Sequence, residues 1–194
     1  MTGFMAHFHK SYSCRGFTII EVIITTFIVA LLAIALFNIY QGYYAVFAIQ
    51  QARVGVNGSA RETVDEFKQT VLQADRIVAS HTFAGTAYTS GSTTTVFELP
   101  AIDGAGDIIA SAYDYIAFYS TTTNAYKVTD GGIGSARKSG MRRLSDTLNA
   151  LTFTYNNGTI TSATSTEIDV RTQSIVRGQT VQAHVHDTAR LRNI

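Results

Sequence analysis

The hydrophobic pattern along this chain has three regimes. In the first, Phe17 to Phe37, almost every position is apolar, and only Thr18, Glu21, Thr25 and Thr26 interrupt it. Those 21 residues would rise roughly 30 Å as a helix, the depth of one bilayer core. Threonine hydroxyls bond back to a carbonyl one turn earlier and are tolerated in lipid. Glu21 has no such excuse, since a carboxylate there costs roughly 2.5–3.5 kcal/mol and so calls for a role. Tyr40, Tyr43 and Tyr44 cluster where the run ends, as an interfacial aromatic belt would. Lys10 and Arg15 precede the run, no acid precedes Glu21, and the next charge is Arg53. Basic flanks stay cytoplasmic, which places the N-terminus inside and residues beyond about 40 outside.

In the second regime Ala60, Val64, Phe67, Val71, Ala74 and Val78 recur in steps of four and three. That is one face of an amphipathic helix, with Arg61 and Asp65 placed to pair on the exposed side. The stripe is read as packing on the chain's own sheet; a coiled-coil seam with a partner is the alternative. Asn57-Gly58-Ser59 leaves two readings open. It is a hinge, with Ser59 and Glu62 as a capping box for a new helix, or the helix runs through.

After Ser80 the pattern changes to short β runs with polar turns. Expected strands are Thr93–Leu99, Tyr113–Tyr119, Ala125–Thr129, Leu151–Tyr155, Glu167–Thr172 and Val181–Asp187. Asn156-Asn157-Gly158 is a hairpin signal, since Asn-Gly accepts positive φ. Pro100 and Asp103-Gly104 mark another turn, and residues 130–140 read as the most flexible loop. No internal repeat or second domain is visible. The fold class is α+β: a long N-terminal helix, its first half membrane-spanning, packed on a C-terminal antiparallel sheet. The expected segments are 1–16, a leader; 17–40, the transmembrane helix; 41–80, its continuation; and 81–194, a β-rich domain.

Gly16-Phe17-Thr18-Ile19-Ile20-Glu21, opening a hydrophobic run behind a short basic leader, resembles the processing site of type IV prepilins and pseudopilins. The resemblance covers roughly residues 10 to 45. It implies cleavage after Gly16 by prepilin peptidase, N-methylation of Phe17, and a role for Glu21, the fifth mature residue, in subunit assembly. The order of long helix then antiparallel sheet resembles the larger minor pseudopilins, and Ala189-Arg190-Leu191-Arg192-Asn193 is similar to their frequent ending. The chain also departs from the family. Asn38 stands where many pilins carry a kinking proline, leaving Gly42 as the nearest helix-weakening residue. Three competing readings of the N-terminus are weaker. A signal peptide cut at Ala33-Ile34-Ala35 fails because apolar residues continue through Leu36, Phe37 and Ile39, and a plain anchor leaves Glu21 unexplained. A lipoprotein at Cys14 has the wrong order, since its apolar region should precede the cysteine.

Composition adds little more. The 194 residues leave about 150 beyond the apolar run, enough for one modest domain with a core. Formal charge is +1; removing Lys10 and Arg15 with the leader leaves 13 basic and 14 acidic residues, a net of −1. The only cysteine is Cys14, so the mature chain has no disulfide. Many major pilins close a C-terminal disulfide loop, and its absence favours a minor pilin or pseudopilin.

A search for chemistry finds no nucleophile elbow, P-loop or dinucleotide-binding glycine motif. His184 and His186 fall on one face of a strand and Asp187 on the other. Two histidines do not make a zinc site unless Asp169 or Glu98 joins them. His7 and His9 read as incidental. The loop Asp103-Gly104-Ala105-Gly106-Asp107 reads as a turn, not a calcium site. Arg137, Lys138, Arg142 and Arg143 form the only basic cluster, with no interleaved aromatic, and read as a solvated loop or subunit contact. Nucleic acid is therefore not an expected partner, and neither cofactor nor metal is expected.

The reading is a minor type IV pilin or pseudopilin: a structural subunit, not an enzyme, assembled into a pilus or secretion pseudopilus. Its implied partners are other pilin or pseudopilin subunits, prepilin peptidase, an inner-membrane assembly platform and membrane lipid. It would be single-pass in the inner membrane, N-terminus inside, before entering a periplasmic or cell-surface filament. The alternative is a secreted or membrane-anchored ligand-binding or hydrolytic domain, which would need a convergent polar cleft around His184 and His186.

Overall fold

The computed structural model describes residues 16–192. Lys10, Cys14, Arg15, His7, His9 and the rest of the expected leader before Gly16 lie outside the described residues, as does Asn193. One helix, α1 (Ile19–Val71), is followed by ten strands: β1 (Arg76–Ile77), β2 (Ser80–Phe83), β3 (Thr86–Thr89), β4 (Thr94–Ile102), β5 (Ile108–Ser120), β6 (Ala125–Asp130), β7 (Gly140–Ser145), β8 (Leu148–Tyr155), β9 (Ser165–Val176) and β10 (Gln179–Arg190). The protein is α+β, with a long N-terminal helix and antiparallel sheets. Two compact units meet at Ala45–Val46.

The first unit is helical as far as it is described beyond Thr18, and its apolar side chains are exposed. The threonines behave as the sequence suggests. Thr25 Oγ1 donates to Glu21 O at 2.7 Å, and Thr26 Oγ1 to Val22 O at 2.7 Å. Tyr40 and Tyr44 lean together, ring centroids 5.6 Å apart.

The second unit begins inside α1. Its five-stranded sheet has the order β1-β4-β5-β6-β7 and its three-stranded sheet the order β10-β9-β8; β2 and β3 form a separate hairpin. The helical stripe Val56, Ala60, Val64, Phe67 and Val71 is buried against both sheets. Phe67 is the centre of this core. Its ring meets Phe97 at 5.7 Å and Phe118 at 5.6 Å on the five-stranded sheet, and stacks on Phe153 of β8 at 5.5 Å.

No break occurs at Asn57-Gly58, so of the two open readings the continuous helix is the correct one. Asn57 Nδ2 donates back to Arg53 O at 2.8 Å, and Ser59 turns away from any cap to meet Thr147 Oγ1 at 3.0 Å. Burial of Val56 and Ala60 on either side outweighs the roughly 1 kcal/mol that a helical glycine costs. Glu62, the other half of the expected capping box, pairs with Arg142 at 2.6 Å. The Arg61–Asp65 pair is absent among the described residues. The helix acids reach the sheet instead, where Glu66 takes Lys127 at 2.9 Å and Arg142 at 2.8 Å. The hydrogen bond from Lys127 holds the Glu66 carboxyl below its usual range.

The helix stops at Val71, before the stripe ends. Ala74 is still fully buried in the core beneath α1, whereas Val78 is half-buried against a separate cluster around Phe83 and Val96. The periodicity therefore continued past the helix that produced it.

All six expected strands exist, most of them longer than their apolar runs. Pro100 is a correction: it lies within β4, where the register shifts before Ile102, and not in the turn. The turn itself is built by Asp103, whose Oδ1 accepts from Ala105 N and Asp107 N, both at 2.9 Å. Those amide bonds hold the Asp103 carboxyl below its usual range. β8 and β9 pair as the Asn-Gly signal implied, but through a longer connection containing a 3-10 turn, Ile160–Ser162. Asn156 folds that loop, its Oδ1 accepting from Thr164 N at 2.9 Å and Ser165 N at 3.1 Å.

The segment 130–140 is a second correction, since it is pinned. Asp114 of β5 is fully buried and pairs with Arg137 at 2.6 Å. Its Oδ1 accepts from Gly132 N at 2.7 Å and its Oδ2 from Ser135 Oγ at 2.9 Å. Gly131 and Gly132 are required here, because a Cβ on either would collide with a backbone carbonyl, that of Arg137 or of Tyr113.

Candidate functional site

The residues that carry the sequence motif sit at the start of α1. Gly16, Phe17 and Thr18 precede the helix, and all three are exposed. Thr18 is its N-cap. Thr18 O accepts the first helical bond, from Val22 N at 3.2 Å, and Thr18 Oγ1 accepts from Glu21 N at 3.3 Å. Glu21 completes a reciprocal capping box: its Oε2 accepts from Thr18 N and from Thr18 Oγ1, both at 3.0 Å. The capping box thus lies here, far ahead of Ser59 in the chain. The signal that would have found it is the Thr-x-x-Glu spacing, the same pattern assigned further along the chain.

Beyond the cap, α1 presents an apolar surface with nothing over it. Phe17, Phe27, Leu32 and Phe37 are all more than half exposed, and the first part of the helix is long and apolar enough to cross a membrane. Apolar area of this kind is unfavourable in water by roughly 25 cal/mol per Å². Its chemistry suits lipid or the flank of another helix, with a carboxylate at the end where the chain enters.

The other candidate residues lie in the second unit, where Asp169 does come to His184 but no three-ligand group forms among the described residues. His184 and His186 share a face of β10, as expected, and Asp187 on the other face reaches Lys68 at 2.7 Å. His184 Nε2 meets Asp169 Oδ2 at 2.6 Å, and His186 Nε2 meets Glu167 Oε1. Glu98 is elsewhere, held by Arg76 and by Tyr115 Oη. No group of three or more His, Cys, Asp and Glu is placed to hold a metal among the described residues. A shallow, open depression of about 570 Å³ adjoins His184, lined also by Asn149, Arg171 and Thr172. Thr172 spends its hydroxyl on Val56 O at 2.8 Å, so no nucleophile–base pair forms there.

The basic cluster is dispersed. Arg137 is committed to Asp114, Arg142 to Glu62 and Glu66, and Arg143 lies 3.6 Å from Asp146. Three of the four charges are thus met by carboxylates, which leaves little to attract phosphate.

Fold and site define an α+β protein with one exposed, membrane-length helix whose entry carries a capped glutamate. Residues 12–37 match the family model of the prokaryotic N-terminal methylation motif. That motif is the hallmark of type IV prepilins and pseudopilins, and this chain carries it; its apolar helix fits a single-pass membrane anchor. Comparison with curated proteins and with solved structures gave no match.

Proposed function

We propose that this chain is a minor type IV pilin or pseudopilin, a structural subunit and not an enzyme, which enters a pilus or secretion pseudopilus after its leader is removed. The observation that carries the reading is the methylation motif opening directly onto an uncovered apolar helix. Prepilin peptidase cuts between Gly16 and Phe17 on the cytoplasmic side, and Phe17 is N-methylated. The segment 17–40 spans the inner membrane, N-terminus inside, and the domain beyond it stands in the periplasm. At the assembly platform the helix trades lipid for neighbouring subunit helices. The lack of any cysteine after Cys14 supports a minor subunit. Terminal peptide mass spectrometry of the membrane-purified protein is expected to give Phe17, heavier by one methyl group, as the first residue. A mature start at Leu36, after Ala33-Ile34-Ala35, would overturn the assignment.

In this proposal Glu21 guides docking. Removing the leader exposes the Phe17 amine, a positive charge that is costly to carry into an apolar bundle alone. Thr18 donates twice to Oε2 of Glu21, leaving Oε1 for a further donor. The amine of a neighbouring subunit supplies it and fixes the axial register. Glu21→Ala and Glu21→Gln are both expected to insert and be cleaved normally. Both should lower recovery in sheared filaments by an order of magnitude or more, since breaking one side of a buried pair costs about 3–5 kcal/mol. The glutamine keeps the capping geometry without the charge. Normal assembly of Glu21→Gln would mean that Glu21 serves only as a cap.

A further inference from the structure

The face of the five-stranded sheet turned away from α1 carries a second, smaller hydrophobic cluster. Phe83, Val96, Ala117 and Val128 are buried in it, with Val78, Tyr88, Tyr115 and Tyr119 packed around them. The β2–β3 hairpin covers part of this face, and its turn, Ala84-Gly85, runs at positive φ in both residues. Where the hairpin leaves β6 and β7 uncovered there is a cavity of about 250 Å³. Phe83, Tyr88, Val128 and Met141 give it apolar walls, and Asp130 supplies the one carboxylate in its lining.

The walls are fixed in place. The Phe83 and Tyr88 rings stand perpendicular, 86° apart with centroids at 5.4 Å, like two sides of a corner. Tyr88 leans on Tyr119 at 4.9 Å. Tyr119 Oη donates to the Met141 sulfur at 3.2 Å, so the exposed Met141 is held as a further wall. Asp130 is held as well. Its Oδ2 meets His81 Nε2 at 2.9 Å, and His81 is itself stacked on Tyr115 with centroids 3.7 Å apart. Oδ1 has only a long contact, 3.4 Å, from Ser139 Oγ. A carboxylate has about four acceptor positions, so Asp130 keeps capacity facing its surroundings.

A corner of aromatic faces beside a carboxylate and a thioether attracts a cation that carries its own apolar skirt. A hard metal ion would need several oxygens, and a purely apolar guest would strip water from Asp130 without compensation. We propose that this cavity binds a quaternary ammonium group, with Tyr88 and Met141 beside its methyls, the buried Phe83 at its floor and Asp130 balancing its charge.

The sequence provides a reporter. Met1, Met5 and Met141 are the only methionines, and the first two precede Gly16, so the leaderless protein contains Met141 alone. The full mature chain, in a maltoside detergent without ammonium groups, is labelled with 13C-methyl methionine and titrated with choline by NMR. The Met141 methyl resonance is expected to shift and saturate. The neutral isostere 3,3-dimethylbutanol should bind weaker by on the order of tenfold or more. Tyr88→Leu, which leaves the Asp130–His81 pair intact, should weaken choline by a similar factor. Asp130→Asn should abolish the preference for choline over the isostere. Phosphocholine separates the sources: a response equal to choline assigns the group to a headgroup, a much weaker one to a free cation. No shift with choline, or equal affinity for the neutral isostere, would overturn the proposal.

Discussion

Replacing Phe67 with alanine is expected to lower the unfolding free energy of the second unit by about 3–5 kcal/mol, the range for deleting a buried phenylalanine. Phe67 is fully buried and touches Phe97, Phe118 and Phe153, which come from both sheets. Deleting its ring therefore opens a cavity where helix and both sheets meet, and none of the three neighbours can fill it without leaving its own sheet. Total stabilities of about 5–15 kcal/mol make this loss a large fraction of the whole. Denaturant unfolding of the detergent-solubilised chain, followed by near-ultraviolet circular dichroism, measures it. Phe67→Leu keeps most of the volume and should cost far less. A loss below about 1 kcal/mol for the alanine variant would mean that helix packing does not hold the sheets together.

Asp114→Asn is expected to cost a similar amount, about 3–5 kcal/mol, for an electrostatic reason. Asp114 is fully buried, and Arg137 beside it is largely so. Asparagine cannot balance the guanidinium, which would then be a buried charge without its partner. Three of the bonds that hold segment 131–139 converge on this carboxylate, from Gly132, Ser135 and Arg137. Trypsin should accordingly cut after Arg137 or Lys138 in the variant and leave the parent intact there. Exchanging both partners, Asp114→Leu with Arg137→Met, should recover much of the stability, because an apolar pair removes the uncompensated charge. If trypsin treats the single variant and the parent alike, the loop is held by something other than Asp114.

The sequence pattern carried the apolar helix, its glutamate, the buried stripe from Ala60 to Val71 and six strands, because each is written as a local period. What it missed is non-local. β7 reads Gly-Met-Arg-Arg-Leu-Ser, and its arginines looked like loop charge, yet Arg142 faces the helix acids and Leu144 the core. The β2–β3 hairpin has no Asn-Gly, Asp-Gly or proline to mark its turn, only Ala84-Gly85. Segment 130–140 looked mobile from its glycines, but two of those glycines serve a close backbone approach around Asp114, which no local pattern announces. At the start of α1, apolarity by itself marks Thr18 only as an interruption in the run. Its function as N-cap depends on where the helix starts, which apolarity alone does not define.

The Thr172 hydroxyl bonds Val56 across 116 residues of chain, and Lys68 meets Asp187 across 119. Loops this long are entropically expensive to close, and contacts that depend on them form late. The stripe on α1 must therefore wait, greasy and uncovered, until more than a hundred further residues have followed it out of the ribosome. During that interval the nascent polypeptide is exposed to proteases and to self-association. For this protein the vulnerable period is the emergence of the chain, and its duration is set by how fast the later residues follow.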